Sequence, residues 1–295
     1  MFDEFGDDDG NPAFEIGLTE SGDERSGFRT QNDPSSPFQR SNIVERRGAI
    51  DIRCTCADVI HGHLKNGEGP ATLVIYDFQF DPRKKARRIQ SVEIRISFTS
   101  ESDNELEVLK ISHKGRLVLG CTSQTETITK GGQVSAGVGV SGAEIGSSLK
   151  WEKVVSRTTT DATTIVGSID LPDGRNYGPP NTATWTLLEN STSKTGVPAF
   201  LKTAVLLSRS NQDEGFCGTF EIKAKVDMVS RFAKLFGKTP KDDPVHYDPK
   251  LPPKNRLTGY ELDSLDNIDI QQLGQAISPH PSSGCSRCTF HYLDT

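Results

Sequence analysis

The chain reads as a mostly β protein, an antiparallel β-sandwich with long hairpins and one short C-terminal helix. Three observations carry this. Apolar and polar residues alternate along several runs, turn-forming residues separate the runs, and one stretch alone repeats at helical spacing. Period-two alternation turns one face of a strand to a core and the other to water, as antiparallel sheets commonly require.

The runs follow one another along the chain. Ile50, Ile52, Cys54 and Cys56 alternate with Asp51, Arg53 and Thr55. Val74, Tyr76, Phe78 and Phe80 share one parity against Asp77 and Gln79, and Val92, Ile94, Ile96 and Phe98 alternate with Glu93, Arg95 and Ser97. Residues 106–112 and 116–119 flank His113-Lys114-Gly115, a tight turn in which Gly supplies the positive φ. Residues 122–129 and 182–188 continue the pattern, the latter with Trp185. Residues 204–208 and 218–226 read as a closing pair joined by the polar turn 210–214. The helix is expected over 226–236, where Met228, Val229, Phe232, Leu235 and Phe236 fall on one face. Gly237 caps it and Pro240 stops it.

Composition sets the boundaries. Counting Gly and leaving out Tyr, about 41% of the 295 residues are apolar, below the ~45–50% of globular chains. The shortfall lies at the two ends. Residues 1–47 are rich in Asp, Glu, Ser, Gly and Pro, too poor in aliphatics to offset the entropy of ordering, and are expected to be an acidic disordered tail. Phe2, Phe5, Phe14, Phe28 and Phe38 stand singly in it. Residues 48–248 form the sandwich domain. Residues 249–295 are expected to be a Pro-rich, largely disordered tail, in which 262–277 hold enough apolar side chains for a short helix on a partner.

Charge and sorting signals narrow the partners. Net charge is −6 and the pI about 5.6, so a nucleic-acid partner is not expected, because such binding needs concentrated Lys and Arg. The dense basic cluster Arg83, Lys84, Lys85, Arg87, Arg88 reads as a solvated connection between strands. The N-terminal MFDEFGDDDG is acidic where a secretion signal is basic, and no run approaches the ~18 apolar residues of a membrane helix. The expectation is a cytoplasmic protein without a transmembrane helix. Its six cysteines, Cys54, Cys56, Cys121, Cys217, Cys285 and Cys288, are expected to be reduced.

Residues 122–171 are rich in Gly, Ser and Thr. Val134, Ala136, Val138 and Val140 alternate with small polar residues. The parity shifts after Gly142, where a bulge or tight turn is expected around Ser141-Gly142. Long sheet strands account for this run, with small residues where sheets approach. An amphipathic hairpin of the kind found in aerolysin-type pore formers also fits, since a membrane strand needs ~9–11 residues of alternating character. Glu144 and Lys150 interrupt the longer alternation.

Candidate chemical sites are sparse. His280, Cys285, Cys288 and His291 form H-x₄-C-x₂-C-x₂-H, whose C-x₂-C element suits zinc. Cys54, Cys56, His61 and His63 form C-x-C-x₄-H-x-H, with both cysteines on the apolar face of a strand, where a thiol serves as a small hydrophobe. Asp242, Asp243 and Asp248 cluster between Pro240, Pro244 and Pro249 and read as part of a rigid surface loop. No nucleophile elbow, P-loop, H-E-x-x-H or dinucleotide fingerprint occurs. No catalytic residue and no cofactor is assigned.

Three segments carry a resemblance: LKWEKVVSRTTTDATTIVGSIDL (149–171), RNYGPPNTATWTLLENSTSKTGVPAFLKTAVLL (175–207) and LFGKTPKDDPVHYDPKLPP (235–253). Through W-E-K, T-T-T-D-A-T-T, W-T-L-L-E-N and T-P-K-D-D-P-V the chain resembles a family of proteins from filamentous ascomycete fungi that carries no assigned activity. The resemblance covers most of 49–253 and implies a single intracellular fungal domain, with no catalytic residue to carry over. The reading favoured by the sequence is a non-enzymatic intracellular module with a protein partner. A membrane-active aerolysin-like β protein and a small-molecule-binding or metal-dependent enzyme of fungal metabolism are the alternatives.

Overall fold

A computed structural model describes residues 29–47, 50–83, 88–100, 106–135, 148–226, 242–254, 259–277 and 291–292. Two antiparallel sheets pack face to face. One has the order β1 (Asn42–Arg46), β2 (Ile50–His63), β3 (Pro70–Pro82), β9 (Phe200–Arg209), β12 (Gln275–Ile277), with β5 (Leu106–Ile111) also on β9. The other has the order β11 (Val245–Tyr247), β10 (Phe216–Val226), β4 (Ile89–Ser100), β8 (Thr182–Leu188), β7 (Ser148–Asp170), β6 (Gly115–Ser135), β13 (His291–Tyr292). The antiparallel sandwich expected from alternation is the architecture found.

The alternating residues build the core. Cys54, Val74, Tyr76, Phe78 and Phe80 of the first sheet meet Val92, Ile94, Ile96, Phe98, Trp185 and Phe216 of the second, all buried in one cluster. Each such large side chain contributes roughly 1.5–3 kcal/mol by leaving water. Trp185 satisfies its indole by donating to the Ser112 carbonyl at 2.9 Å, which ties β8 to the turn after β5.

Two connections differ from the sequence reading. The turn His113-Lys114-Gly115 is present, with φ of +55° at His113 and +85° at Gly115. It closes no hairpin, because β5 pairs with β9 while β6 pairs with β7 in the other sheet. Residues 204–208 and 218–226 likewise do not pair. They belong to β9 and β10 in opposite sheets. Alternation identifies the buried face of a strand without naming its sheet, and both inner faces of a sandwich are apolar.

The ordered body also reaches past 48–248. Before it, β1 pairs with β2, and Arg40 donates to the carbonyls of Asp243 and Ile43. After it, residues 259–277 cover the outer face of the first sheet, where Leu265 and Ile270 pack on Ile60, Leu73, Ile75 and Leu206. The short helix considered for 262–277 is a 3-10 turn, Leu265–Asn267, followed by β12 on β9. Residues 227–236 of the expected helix lie outside the described residues, and Val226 ends β10. No helix among the described residues is long and apolar enough to cross a membrane.

Candidate functional site

The most distinctive feature is the β6–β7 ribbon. At its base β7 is paired on both sides, with Thr164–Asp170 on β8 and with β6. β8 stops at Leu188, the partner of Thr164, and from there outward β7 and β6 pair only with each other among the described residues. β13 covers β6 at Leu117 and Val118, also at the base. The root is the pair Thr122 and Asp161. Asn190 Nδ2 donates to Thr122 Oγ1 at 2.9 Å and to the Asp161 carbonyl at 3.2 Å. Asp161 Oδ2 accepts from Ser191 Oγ at 2.5 Å and from the Thr192 amide at 2.9 Å. The Ser191 hydroxyl bond leads in holding this carboxyl below its ordinary range.

Beyond the root, thirteen pairs run in unbroken register from Ser123 with Thr160 to Ser135 with Ser148. At ~3.3 Å per residue this is a projection of roughly 40 Å. At the odd positions of β6 the register pairs are Thr125 with Thr158, Thr127 with Ser156, Thr129 with Val154, Gly131 with Glu152 and Gln133 with Lys150. At the even positions they are Glu126 with Arg157, Ile128 with Val155, Lys130 with Lys153, Gly132 with Trp151 and Val134 with Leu149. Outward along this second set, charged Glu126 and Arg157 give way to apolar Ile128 and Val155, then to the Lys130 and Lys153 pair, and then to Gly132, Trp151, Val134 and Leu149. The turn expected around Ser141-Gly142 lies outside the described residues.

The structure separates the residues singled out for chemistry. His280, Cys285 and Cys288 lie outside the described residues, and His291 is the β13 partner of Val118. Cys54 and Cys56 are buried in the core, and burial pushes the Cys54 thiol well up. His61 is engaged elsewhere: Gln39 Nε2 donates to its Nε2 at 2.9 Å, and its Nδ1 lies 2.9 Å from Thr72 Oγ1. Burial, with the nearby Arg209 charge, pushes His61 down to about 4. His63 faces Asp263 at 4.0 Å. The described residues contain no group of three or more His, Cys, Asp or Glu arranged to hold a metal.

The acidic loop pins the N-terminal segment. Asp242 takes Arg46 at 2.6 Å and the Thr30 amide at 2.6 Å, and Asp243 takes the Asn32 amide at 3.1 Å. At the ends of the basic connection, Arg83 pairs with Asp51 at 2.9 Å and Arg88 with Glu189 at 3.0 Å. Lys84, Lys85 and Arg87 lie outside the described residues.

No family model matches the chain, and no curated protein matches it. Among solved structures it is similar to the NetB toxin of Clostridium perfringens in its membrane-inserted form. The identity is 8% and the TM-score 0.30, over 64% of this chain and 83% of that chain. It is similar also to a structure described as a pore forming protein, at 7% identity and TM-score 0.29, over 70% of this chain and 84% of that one.

One feature of the sheet margin had no signal in the sequence. Cys217 of β10 and His246 of β11 are register partners, with Sγ 3.1 Å from Nδ1. They stand 29 residues apart with no motif between them, and only the pairing of two strands brings them together.

Proposed function

We propose that this is a membrane-active β protein, in which the Gly115–Asp170 hairpins of several copies pair edge to edge and close into a transmembrane barrel. The observation that carries the reading is the two-stranded ribbon, which among the described residues continues for sixteen pairs past the end of β8, thirteen of them beyond the root. An isolated two-stranded ribbon is marginal in water. Among the described residues no further strand lies beside its edges, and the N–H and C=O groups of such an edge template further strands. In a bilayer, barrel closure satisfies every one of those groups.

The sequence of the outer ribbon fits that use. From Gly132 the alternation of Val134, Ala136, Val138 and Val140 with small polar residues supplies about the 9–11 residues of a spanning strand. Trp151, the partner of Gly132, lies two register positions outward of the Lys130 and Lys153 pair. Aromatic residues and lysines are the side chains suited to a lipid headgroup boundary. Threonine and serine dominate the inner register pairs at the odd positions of β6, and such residues suit the water-facing lumen of a barrel.

The test is dye release from vesicles of phosphatidylcholine with and without phosphatidylserine. The wild-type chain is compared with a variant whose residues 123–160 are replaced by Asn-Gly, a two-residue turn that rejoins Thr122 to Asp161. Release by the wild type and none by a folded variant supports the reading. No release at any composition, or equal release by both, overturns it. Capture of a partner protein that depends on the ribbon, without release, would restore the interaction-module reading.

A further inference from the structure

The Cys217 and His246 pair lies away from the ribbon, at the far margin of the same sheet. Cys217 Sγ is 3.1 Å from His246 Nδ1, and both residues are partly exposed. The imidazole is held from behind. The Phe38 ring meets it edge-on at 6.2 Å and 78°, and the Gln39 amide donates to the His246 carbonyl at 2.7 Å. On its other side Cys217 is the register partner of Thr99, an exposed residue of β4. A partly exposed thiol beside a fixed imidazole, carried on paired strands, has the geometry of an activated nucleophile.

We propose that Cys217 is a modification site: its thiol, with His246 as base, forms mixed disulfides with small-molecule disulfides. The thiol passes its proton to His246 Nδ1. The thiolate attacks one sulfur of the incoming disulfide, a new S–S bond forms and the old one breaks. The departing thiolate takes the proton from the imidazolium. Protein thiol and disulfide thus become a mixed disulfide and one small thiol, and the disulfide itself is the oxidant. Among the described cysteines, Cys54 and Cys56 are buried, and Cys121 is exposed on β6. Cys121 is therefore the internal reference for ordinary exposed-thiol reactivity.

The experiment treats the full chain with glutathione disulfide at several pH values between about 5 and 9. The modification of each cysteine is followed by peptide mass mapping. Cys217 is expected to react about tenfold faster than Cys121 near neutral pH. His246→Gln is expected to remove the advantage while leaving the melting temperature close to wild type. Cys217 and Cys121 reacting at the same rate with the same pH dependence would overturn the proposal, as would a folded His246→Gln protein with undiminished Cys217 reactivity. The wild-type comparison decides the matter by itself if that variant does not fold.

Discussion

Tyr76 and Tyr247 meet hydroxyl to hydroxyl at 2.8 Å in the buried interior of the sandwich, one from β3 and one from the edge strand β11. The bond joins the two sheets across their core. Phe220 meets the Tyr76 ring edge-on at 5.1 Å, and Phe216 stacks on Tyr247 at 4.8 Å. Burial, then mutual repulsion of the charged forms, pushes the Tyr76 phenol far up, and burial does the same to Tyr247. Both therefore stay neutral, one donating and the other accepting. Replacing either by Phe strands the other hydroxyl in an apolar core, at a cost of about 1–3 kcal/mol. The double Phe variant removes both polar groups and should cost less than the two single changes together. A urea-unfolding double-mutant cycle reads that coupling; strict additivity would show that the bond does no work.

Gly167 of β7 sits where the turn before β6 crosses beneath Trp185. A Cβ built there falls far inside contact distance of the His113 carbonyl oxygen and 3.1 Å from Trp185 Cδ1. The first of these is backbone and cannot swing aside. Gly167→Ala should therefore force the turn off the sheet, cost about 1–3 kcal/mol or more, and lower the melting temperature. The change lies at the base of the ribbon, so hydrogen exchange at Leu117 and Ile165, the register pair two positions along, should accelerate ahead of exchange in β3. Unchanged stability would mean that the close approach is relieved elsewhere.

The outer cover of the first sheet gives a third expectation. Leu265 and Ile270 are buried on Ile60, Leu73, Ile75 and Leu206, held by hydrogen bonds from the Lys65 amide to Asp266 Oδ1 at 2.7 Å and from Lys110 Nζ to the Asp266 carbonyl at 2.7 Å. Leu265→Ala should cost about 2 kcal/mol or more, and deleting 259–295 should expose an apolar sheet face that binds ANS. A deletion variant with wild-type stability and no dye binding would mean that the cover adds nothing.

These elements show what alternation conveys. Ile50 to Cys56, Val74 to Phe80 and Val92 to Phe98 were legible because a half-buried strand writes its period into the sequence. The partners of those strands were not. His113-Lys114-Gly115 has turn chemistry whether the chain returns on itself or crosses to the facing sheet. The cover was signalled by Leu73 and Ile75 on the second parity of β3 and by Ala204 and Leu206 in β9, since apolar residues on both parities mark a strand buried on both faces. Thr and Ser runs announced the strands of the ribbon. Its projection depends on where β8 ends and on the Asn190 node, which no local pattern reports.

Acid stability supplies the last expectation. His61 is buried, takes a hydrogen bond from Gln39 and lies near the Arg209 charge, with Asp248 opposing weakly. Its value falls from 6.5 to about 4 on folding. As pH drops, the unfolded chain takes up the proton first, so unfolding is favoured progressively from about 6.5 to about 4 and the penalty is constant below that. Each tenfold change in proton affinity is worth about 1.4 kcal/mol, so the full effect is about 3 kcal/mol. His113, lowered by burial, acts in the same direction. Carboxylates held low by hydrogen bonds, such as Asp161, lose their contribution further into acid. His61→Gln keeps a polar side chain beside Gln39 and Thr72 but cannot take up a proton. Urea unfolding between pH 7 and pH 4.5 should give a shallower decline for this variant than for the wild type. The variant should be less stable near neutrality, where the neutral imidazole fits its two partners, and the gap should narrow toward pH 4.5. Parallel declines would assign the acid sensitivity to other groups.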